Sequence, residues 1–191
     1  MTRLLSLLVA LTLSAPAVAQ APPVRVSLQT SEGAIVVELD AAHAPVTTAN
    51  FLRYVDQKRF DGAVFYRAMK IGADGGLIQG GTNNDPKRVL PPVAHEPTSA
   101  TGLRHTDGTL SMARYAPGTA TGDFFITLGA APFLDASAAD PGFAAFGHVV
   151  AGMDVVKRIL AAPVSATRGE GVMRGQMIEA PVAIVAARRT P

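Results

Sequence analysis

The sequence predicts a mainly β protein: a closed, eight-stranded antiparallel β-barrel capped by two α-helices. Two observations carry that prediction. Eight short segments have strand character and are separated by turn-forming residues, and only two segments repeat apolar residues at helical spacing. Many short strands with so few helices favour a barrel with covered ends over a parallel sheet. A further observation sets the scale: no repeat and no internal boundary divides the chain after its first residues, so one domain spans residues 24–191.

The elements follow in order. Val24 to Leu28 alternates apolar and polar residues, Ser31-Glu32-Gly33 turns, and Ile35 to Leu39 runs back, which is a hairpin with one face for a core. Pro45 suits a first helical position, and Val46, Ala49, Phe51, Leu52 and Val55 place a helix at about Pro45 to Lys58. Asp61-Gly62 turns into a strand at Ala63 to Met69. The glycine-rich run Ile71 to Gly76 precedes a short strand at Leu77 to Gly81, and Asn83 to Pro97 is a long loop. Further strands are expected at Gly108 to Ala113, Phe124 to Leu128 and Ala144 to Val150. Met153, Val156, Ile159 and Leu160 mark a second helix ending near Pro163. Arg168 to Gly175 reads as a flexible loop, and Pro181 to Ala186 as the closing strand.

The first residues read differently. Arg3, the apolar run Leu4 to Leu13 and the small residues Ala17-Val18-Ala19 occur in the order of a cleavable secretory signal, so residues 1–19 are expected to be removed and residues 20–23 to form a linker. The run is short for a bilayer span. The expected address is periplasmic, with secretion as the alternative and no stable membrane insertion after cleavage. A formal charge of +2, with scattered Lys and Arg and one tight pair at Arg188-Arg189, argues against a nucleic-acid partner. With no cysteine, disulfides and thiolate chemistry are excluded.

The stretch from Thr106 to Val150 narrows the chemistry. It holds a small-residue strand, the pair Phe124-Phe125 and the turn Phe133-Leu134-Asp135, and apart from Asp107 and Asp123 it offers few groups for proton transfer. Apolar walls with one cation and one amide suit a reaction that breaks no covalent bond. Because successive strand residues point to opposite faces, one of Phe124 and Phe125 packs inside and the other is free to face a groove. His43, His95, His105 and His148 lack metal-ligand spacing and are expected at the surface or in loops; no metal or cofactor is implied. Gly72 to Gly81 lacks the Lys-Ser or Lys-Thr of a phosphate-binding loop. No nucleophile with an attendant base is evident.

Phe65-Tyr66-Arg67, Gln79-Gly80-Gly81, Ser111-Met112-Ala113-Arg114, Phe124-Phe125-Ile126, Phe133-Leu134-Asp135 and Phe146-Gly147 together resemble the cyclophilin family of peptidyl-prolyl isomerases. Each tripeptide is weak alone; their order and spacing along the chain are specific. The resemblance implies a catalytic arginine at Arg67 and a glutamine at Gln79 that holds the substrate carbonyl. It implies a proline pocket walled by Leu77, Phe125 and Leu134 with Ala113 beside it. Phe133 falls at the rim where cyclosporin docks, often a tryptophan in the family, so only weak binding of that drug is implied. The expected partners are proline-containing unfolded or loop segments of exported proteins, and a monomer is expected.

The chain departs from the family pattern at several positions. Tyr66 replaces a histidine, and Phe143 matches a position that is histidine in some members. Gly76 stands where an aromatic wall is expected, next to a four-residue insertion, and Met69 or Ile71 is available to replace it. Asp123 replaces a second glutamine that contacts substrate. These departures leave room for a rival class, a module that binds proline segments as a chaperone or scaffold with weak or no turnover.

Overall fold

Two residues of turn, Ser31 and Glu32, join β1 (Val24–Thr30) to β2 (Gly33–Leu39), and the two strands pair antiparallel from Val24↔Leu39 to Thr30↔Gly33. Alternation does what the sequence implied: Val26, Leu28, Ile35 and Val37 are fully buried on one face, while Arg25 and Glu38, cross-strand neighbours on the other, form a salt bridge of 2.9 Å. The structure, a computed structural model, describes residues 23–73 and 75–190. The expected leader (1–19) and the linker apart from Pro23 lie outside the described residues.

The remaining strands are β3 (Ala63–Ile71), β4 (Gly75–Gly81), β5 (Thr109–Met112), β6 (Asp123–Leu128), β7 (Ala144–Ala151), β8 (Val164–Ser165) and β9 (Met177–Thr190). Around the sheet they run β1-β2-β7-β5-β6-β4-β3-β9, every neighbouring pair antiparallel, and β9 pairs back onto β1 from Arg25↔Thr190 to Thr30↔Ile184. The eight-stranded barrel is therefore closed, with no free edge in the ring. The two-residue β8 attaches outside it, on the start of β9.

Two helices cover the ends. Helix α1 (Pro45–Asp56) lies between the end of β2 and the start of β3, and Phe51 and Tyr54 sink into that end against Phe60. Its first turn has no cap of its own. Glu96, from the loop after β4, accepts the N–H groups of Val46 (3.1 Å) and Thr47 (2.7 Å) and places a carboxylate at the positive end of the helix. The four-residue helix α2 (Thr98–Thr101) follows that loop. Helix α3 (Met153–Ala161) buries Val155, Val156, Ile159 and Leu160 at the opposite end, near the β1–β2 and β3–β4 turns. Phe65, Ile78, Leu110, Phe124, Ile126 and Phe146 fill the interior between the caps.

The closing strand is longer than the expected Pro181 to Ala186. It begins at Met177, because four residues of β9, Ile178 to Pro181, bulge opposite the single residue Tyr66 between the pairs Phe65↔Val182 and Arg67↔Met177. A proline has no N–H to offer a ladder, and a bulge is where a strand tolerates one. Arg188 and Arg189 do not form a free basic patch: they pair with Asp61 (2.7 Å) and Asp56 (2.6 Å).

Candidate active site

One row of residues crosses the outer face of the barrel. Strand register sets Met177 beside Arg67, Arg67 beside Gln79, Gln79 beside Phe125, and Phe125 beside Ser111. Directly opposed residues of neighbouring strands share a face, so the pairing of β3, β4 and β6 alone brings a cation, an amide and an aromatic ring abreast. Two residues along, Met69 opposes Leu77 and starts a second row. The β3 bulge turns Tyr66 to the same side as Arg67. Around these rows lies a groove of about 480 Å³. All nine expected site residues line it: Arg67, Gln79, Tyr66, Leu77, Ala113, Phe125, Phe133, Leu134 and Phe143.

The polar half is a chain of hydrogen bonds. Arg67 NH1 donates to Gln79 Oε1 (2.7 Å), and Gln79 Nε2 donates to the Tyr66 hydroxyl (2.7 Å). Arg67 Nε donates to Gln176 Oε1 (2.8 Å), and one NH2 hydrogen meets the Met69 sulfur at 3.4 Å. A guanidinium has five N–H donors; these contacts use three and leave two for a ligand. Burial pushes the Tyr66 hydroxyl well above its usual range and pulls Arg67 downward, yet an arginine keeps its proton in a protein. Tyr66 is thus a neutral phenol and Arg67 a fixed cation.

The apolar half is Leu77, Phe125, Ala131 and Leu134, with Met69, Ala113 and Phe143 packed against them. Phe124 points into the barrel and Phe125 into the groove, 3% exposed, which settles the alternation at that pair. Phe143 stands edge-on to Phe125 (5.4 Å between centroids, 86°), and the Arg114 guanidinium lies 4.9 Å above the Phe143 ring. Phe133 is 61% exposed at the rim. Of the two candidates for the missing wall, Met69 lines the groove, whereas Ile71 is exposed away from it. An aromatic side chain at Gly76 is ruled out by geometry, since φ is +153° and a Cβ would overlap the Met69 carbonyl oxygen.

Asp123 lines the groove but turns its carboxylate to the loop after β4, where Oδ1 accepts the Asn83 N–H at 2.7 Å; burial raises its pKa. It closes a loop instead of presenting an amide to a peptide.

His105 lies in a loop, as expected, but it is neither at the surface nor idle: 2% exposed, its ring lies flat on Phe125 (5.8 Å, 17°). Its Nδ1 is 2.7 Å from Asp135 Oδ1, and its Nε2 is 2.9 Å from Ser111 Oγ. A hydroxyl, a base and a carboxylate therefore do come together, although the sequence separates them too widely to show it. Ser111 is fully buried beneath the groove, so no scissile bond reaches its oxygen. The three residues instead fasten β5, the pocket floor and the Phe133–Leu134 turn to one another.

Sequence reasoning missed the rest of the lining. Asn83, Asn84, Arg114, Tyr115, Thr119 and Thr121 come from loops, Val172, Met173 and Gln176 from the segment leading into β9, and Met177 from the start of β9. The expected flexible loop in that segment holds a turn of 3-10 helix, Gly171–Met173. Among the described residues, no group of three or more His, Cys, Asp or Glu side chains could hold a metal ion.

Comparison with known proteins decides the family. The family model for cyclophilin-type peptidyl-prolyl cis-trans isomerases matches residues 25–186. The chain belongs to that family. A peptidyl-prolyl cis-trans isomerase of Acinetobacter baylyi is 40% identical over 144 residues, 73% of each chain. Peptidyl-prolyl cis-trans isomerase A of Dickeya dadantii is 39% identical over 153 residues, 78% of this chain and 77% of its own. In fold, the crystal structure of a Cryptosporidium parvum cyclophilin-type isomerase superposes with a TM-score of 0.72 at 20% identity, covering 89% of this chain and 99% of that one. As a cyclophilin-type isomerase, the protein takes proline-containing peptides as substrates, and the groove just described gathers the nine residues that the sequence resemblance implies for its site.

Proposed function

We propose that the groove binds an X-Pro segment with the proline ring on Phe125 and that Arg67 lowers the barrier to rotation about the preceding bond. Rotation must break amide resonance, at a barrier of about 18–20 kcal/mol. At the twisted geometry the prolyl nitrogen becomes pyramidal, and its lone pair, no longer delocalised into the carbonyl, is localised on it. The two unused N–H donors of Arg67 bond that lone pair more strongly than the planar nitrogen, so the transition state is bound in preference to the ground state. Gln79 has one amide hydrogen left after donating to Tyr66 and holds the substrate backbone with it. Leu77, Phe125, Leu134 and Met69 keep the ring still while the carbonyl turns. No bond forms or breaks and no proton moves.

The observation that carries this reading is the position of the Arg67 guanidinium: fixed by Gln79 and Gln176, with donors to spare, beside an apolar floor. A protease-coupled assay on an Ala-Pro tetrapeptide tests it. Arg67→Ala should lower kcat/KM by roughly 100-fold or more, about 3 kcal/mol of transition-state binding. Equal activity in the two proteins would defeat the mechanism, and a wild type no faster than the thermal rate would favour the binding-module reading.

The segment before Pro23 supports export to the periplasm, where the clients would be proline-containing stretches of other exported proteins whose X-Pro steps are slow. Loss of residues 1–19 from the mature protein, read by N-terminal sequencing, checks the address. A monomer fits the distribution of exposed apolar side chains: Tyr115, Phe133 and Val172 ring the groove, while Val46, Ile71, Val150 and Val185 are dispersed among other elements. Phe133 supports weak cyclosporin affinity, which a fluorescence titration would measure.

A further inference from the structure

Arg67 is held from two sides, and only one of them belongs to the family motif. Gln79 takes an NH1 hydrogen from across β4, while Gln176 takes the Nε hydrogen from the segment that enters β9. The amide of Gln176 has a defined orientation, because arginine only donates and a carbonyl only accepts. Its Oε1 faces Arg67 Nε, and its Nε2 donates to the Val172 carbonyl at 2.8 Å. The backbone carbonyl of Gln176 is also fixed, accepting the Ala68 N–H at 2.9 Å. The residue is therefore anchored at both ends of its side chain and through its main chain to β3.

Nε is the one guanidinium nitrogen on the axis about which the group swings. Without its bond to Gln176 the group keeps only the NH1 bond to Gln79 and the weaker NH2 contact with the Met69 sulfur, which hold the plane less firmly. Tying Nε as well fixes the plane in the fork geometry of the group, with one NH1 and one NH2 hydrogen left over on a side chain that lines the groove. Arg67 carries a long, rotamer-rich side chain. If that freedom is already gone before substrate arrives, the donors need no reorganisation as the amide twists.

We propose that Gln176 is a positioning residue for Arg67, fixing the plane of its guanidinium for the transition state. The proposal rests on the reading of Arg67 given above. Its signature is a fall in turnover with substrate affinity retained, since Gln176 acts on a donor that matters most at the twisted geometry.

The experiment compares Gln176→Ala, Gln176→Glu and Arg67→Ala in the mature chain, with kcat and KM from the prolyl assay and water exchange of the Arg67 Nε–H by NMR. Gln176→Ala should lower kcat roughly tenfold with KM changed less than about twofold, and should speed Nε–H exchange. Gln176→Glu keeps an acceptor for Nε while losing the donor to Val172, so it should recover most of the activity and the slow exchange. In the Arg67→Ala background, Gln176→Ala should have no further effect on kcat. The proposal falls if Gln176→Ala turns over like wild type, if Glu is as poor as Ala, or if Gln176→Ala costs as much without Arg67 as with it. If instead Arg67→Ala alone keeps wild-type activity, the reading of Arg67 fails first, so the two failures are told apart.

Discussion

Replacing His105 with alanine should destabilise the protein more than any other change of a single polar residue around the groove. The ring is 2% exposed and covers the back of Phe125. Deleting a buried aromatic ring costs about 3–5 kcal/mol, and imidazole is smaller than phenyl, so about 3 kcal/mol is expected from the cavity. The Asp135 carboxylate loses its 2.7 Å partner at Nδ1 but keeps the His105 backbone N–H at 3.0 Å and Arg104 at 3.7 Å, which limits the added penalty to about 1 kcal/mol. The sum, about 4 kcal/mol, is read as a shift in urea midpoint at unchanged slope. For a chain of this size it corresponds to a fall of roughly 8–16 °C in Tm. Ser111→Ala removes only the hydroxyl that Nε2 faces, leaves a buried acceptor unpaired, and should cost about 1–3 kcal/mol. A loss below about 1 kcal/mol for His105→Ala would refute the view that this residue fastens the pocket.

The same contacts set a pH dependence. Burial lowers the pKa of His105, against the smaller opposing effect of Asp135. The groups facing the ring are Asp135, the Ser111 hydroxyl and, beyond Asp135, Arg104. In the folded protein the imidazole is therefore neutral, with Nδ1–H donated to Asp135 and Nε2 accepting from Ser111. The unfolded chain takes up a proton near pH 6.5. Below that pH the unfolded state binds more protons than the folded one, so stability is complete above about pH 6.5 and falls as pH drops toward the folded pKa, by at most about 1.4 kcal/mol per pH unit. In His105→Ala this part of the slope disappears. An unchanged slope would show that some other group titrates.

Two further outcomes test the apolar wall. Met69→Ala removes the side chain that stands in for the absent aromatic and should raise KM roughly 5- to 30-fold, about 1–2 kcal/mol of contact with the proline ring, with kcat nearly kept; a large fall in kcat would instead point to the Met69 sulfur steering Arg67. Gly76→Ala should lower stability by at least about 1 kcal/mol, read as a lower urea midpoint, because its φ of +153° and the Met69 carbonyl leave no room for a Cβ, and a neutral substitution would contradict the tight β3–β4 turn.

Strands and helices were legible wherever the side-chain period and the turn residues agreed. The β1–β2 alternation, Pro45 at the start of α1 and the apolar spacing of α3 all appear where the chain predicts them. The site was legible to the extent that it lies on motif strands, since Arg67, Gln79 and Phe125 become neighbours as soon as β3, β4 and β6 pair. What stayed hidden depends on contacts between distant segments. His105 and Asp135 are thirty residues apart, and Arg67 and Gln176 more than a hundred. Neither separation has a local period, and an isolated histidine or glutamine in a polar loop looks the same whether it ends in water or beneath a ring. The length of β9 was hidden for a different reason: Pro181 reads as a strand start until the bulge opposite Tyr66 gives it a place within the strand.

Both halves of the groove share one construction. On the polar side the motif residue Arg67 rests on Gln176, which rests on the turn at Gly171–Met173. On the apolar side the motif residue Phe125 rests on His105, which ties to the turn bearing Phe133 and Leu134 through Asp135. The barrel fixes where the motif residues sit, to within the register of a closed sheet, but register does not fix the plane of a guanidinium or a phenyl ring. A reaction that gains its rate from aiming a donor at a nitrogen while a ring is held still depends on those planes. Each is set by a residue outside the motif strands, reached through an irregular segment. The four extra residues between Arg67 and Gln79 fall instead within the β3–β4 hairpin, which stays paired from Arg67↔Gln79 to Ile71↔Gly75, so they extend the ladder beyond the row that crosses the barrel without moving it.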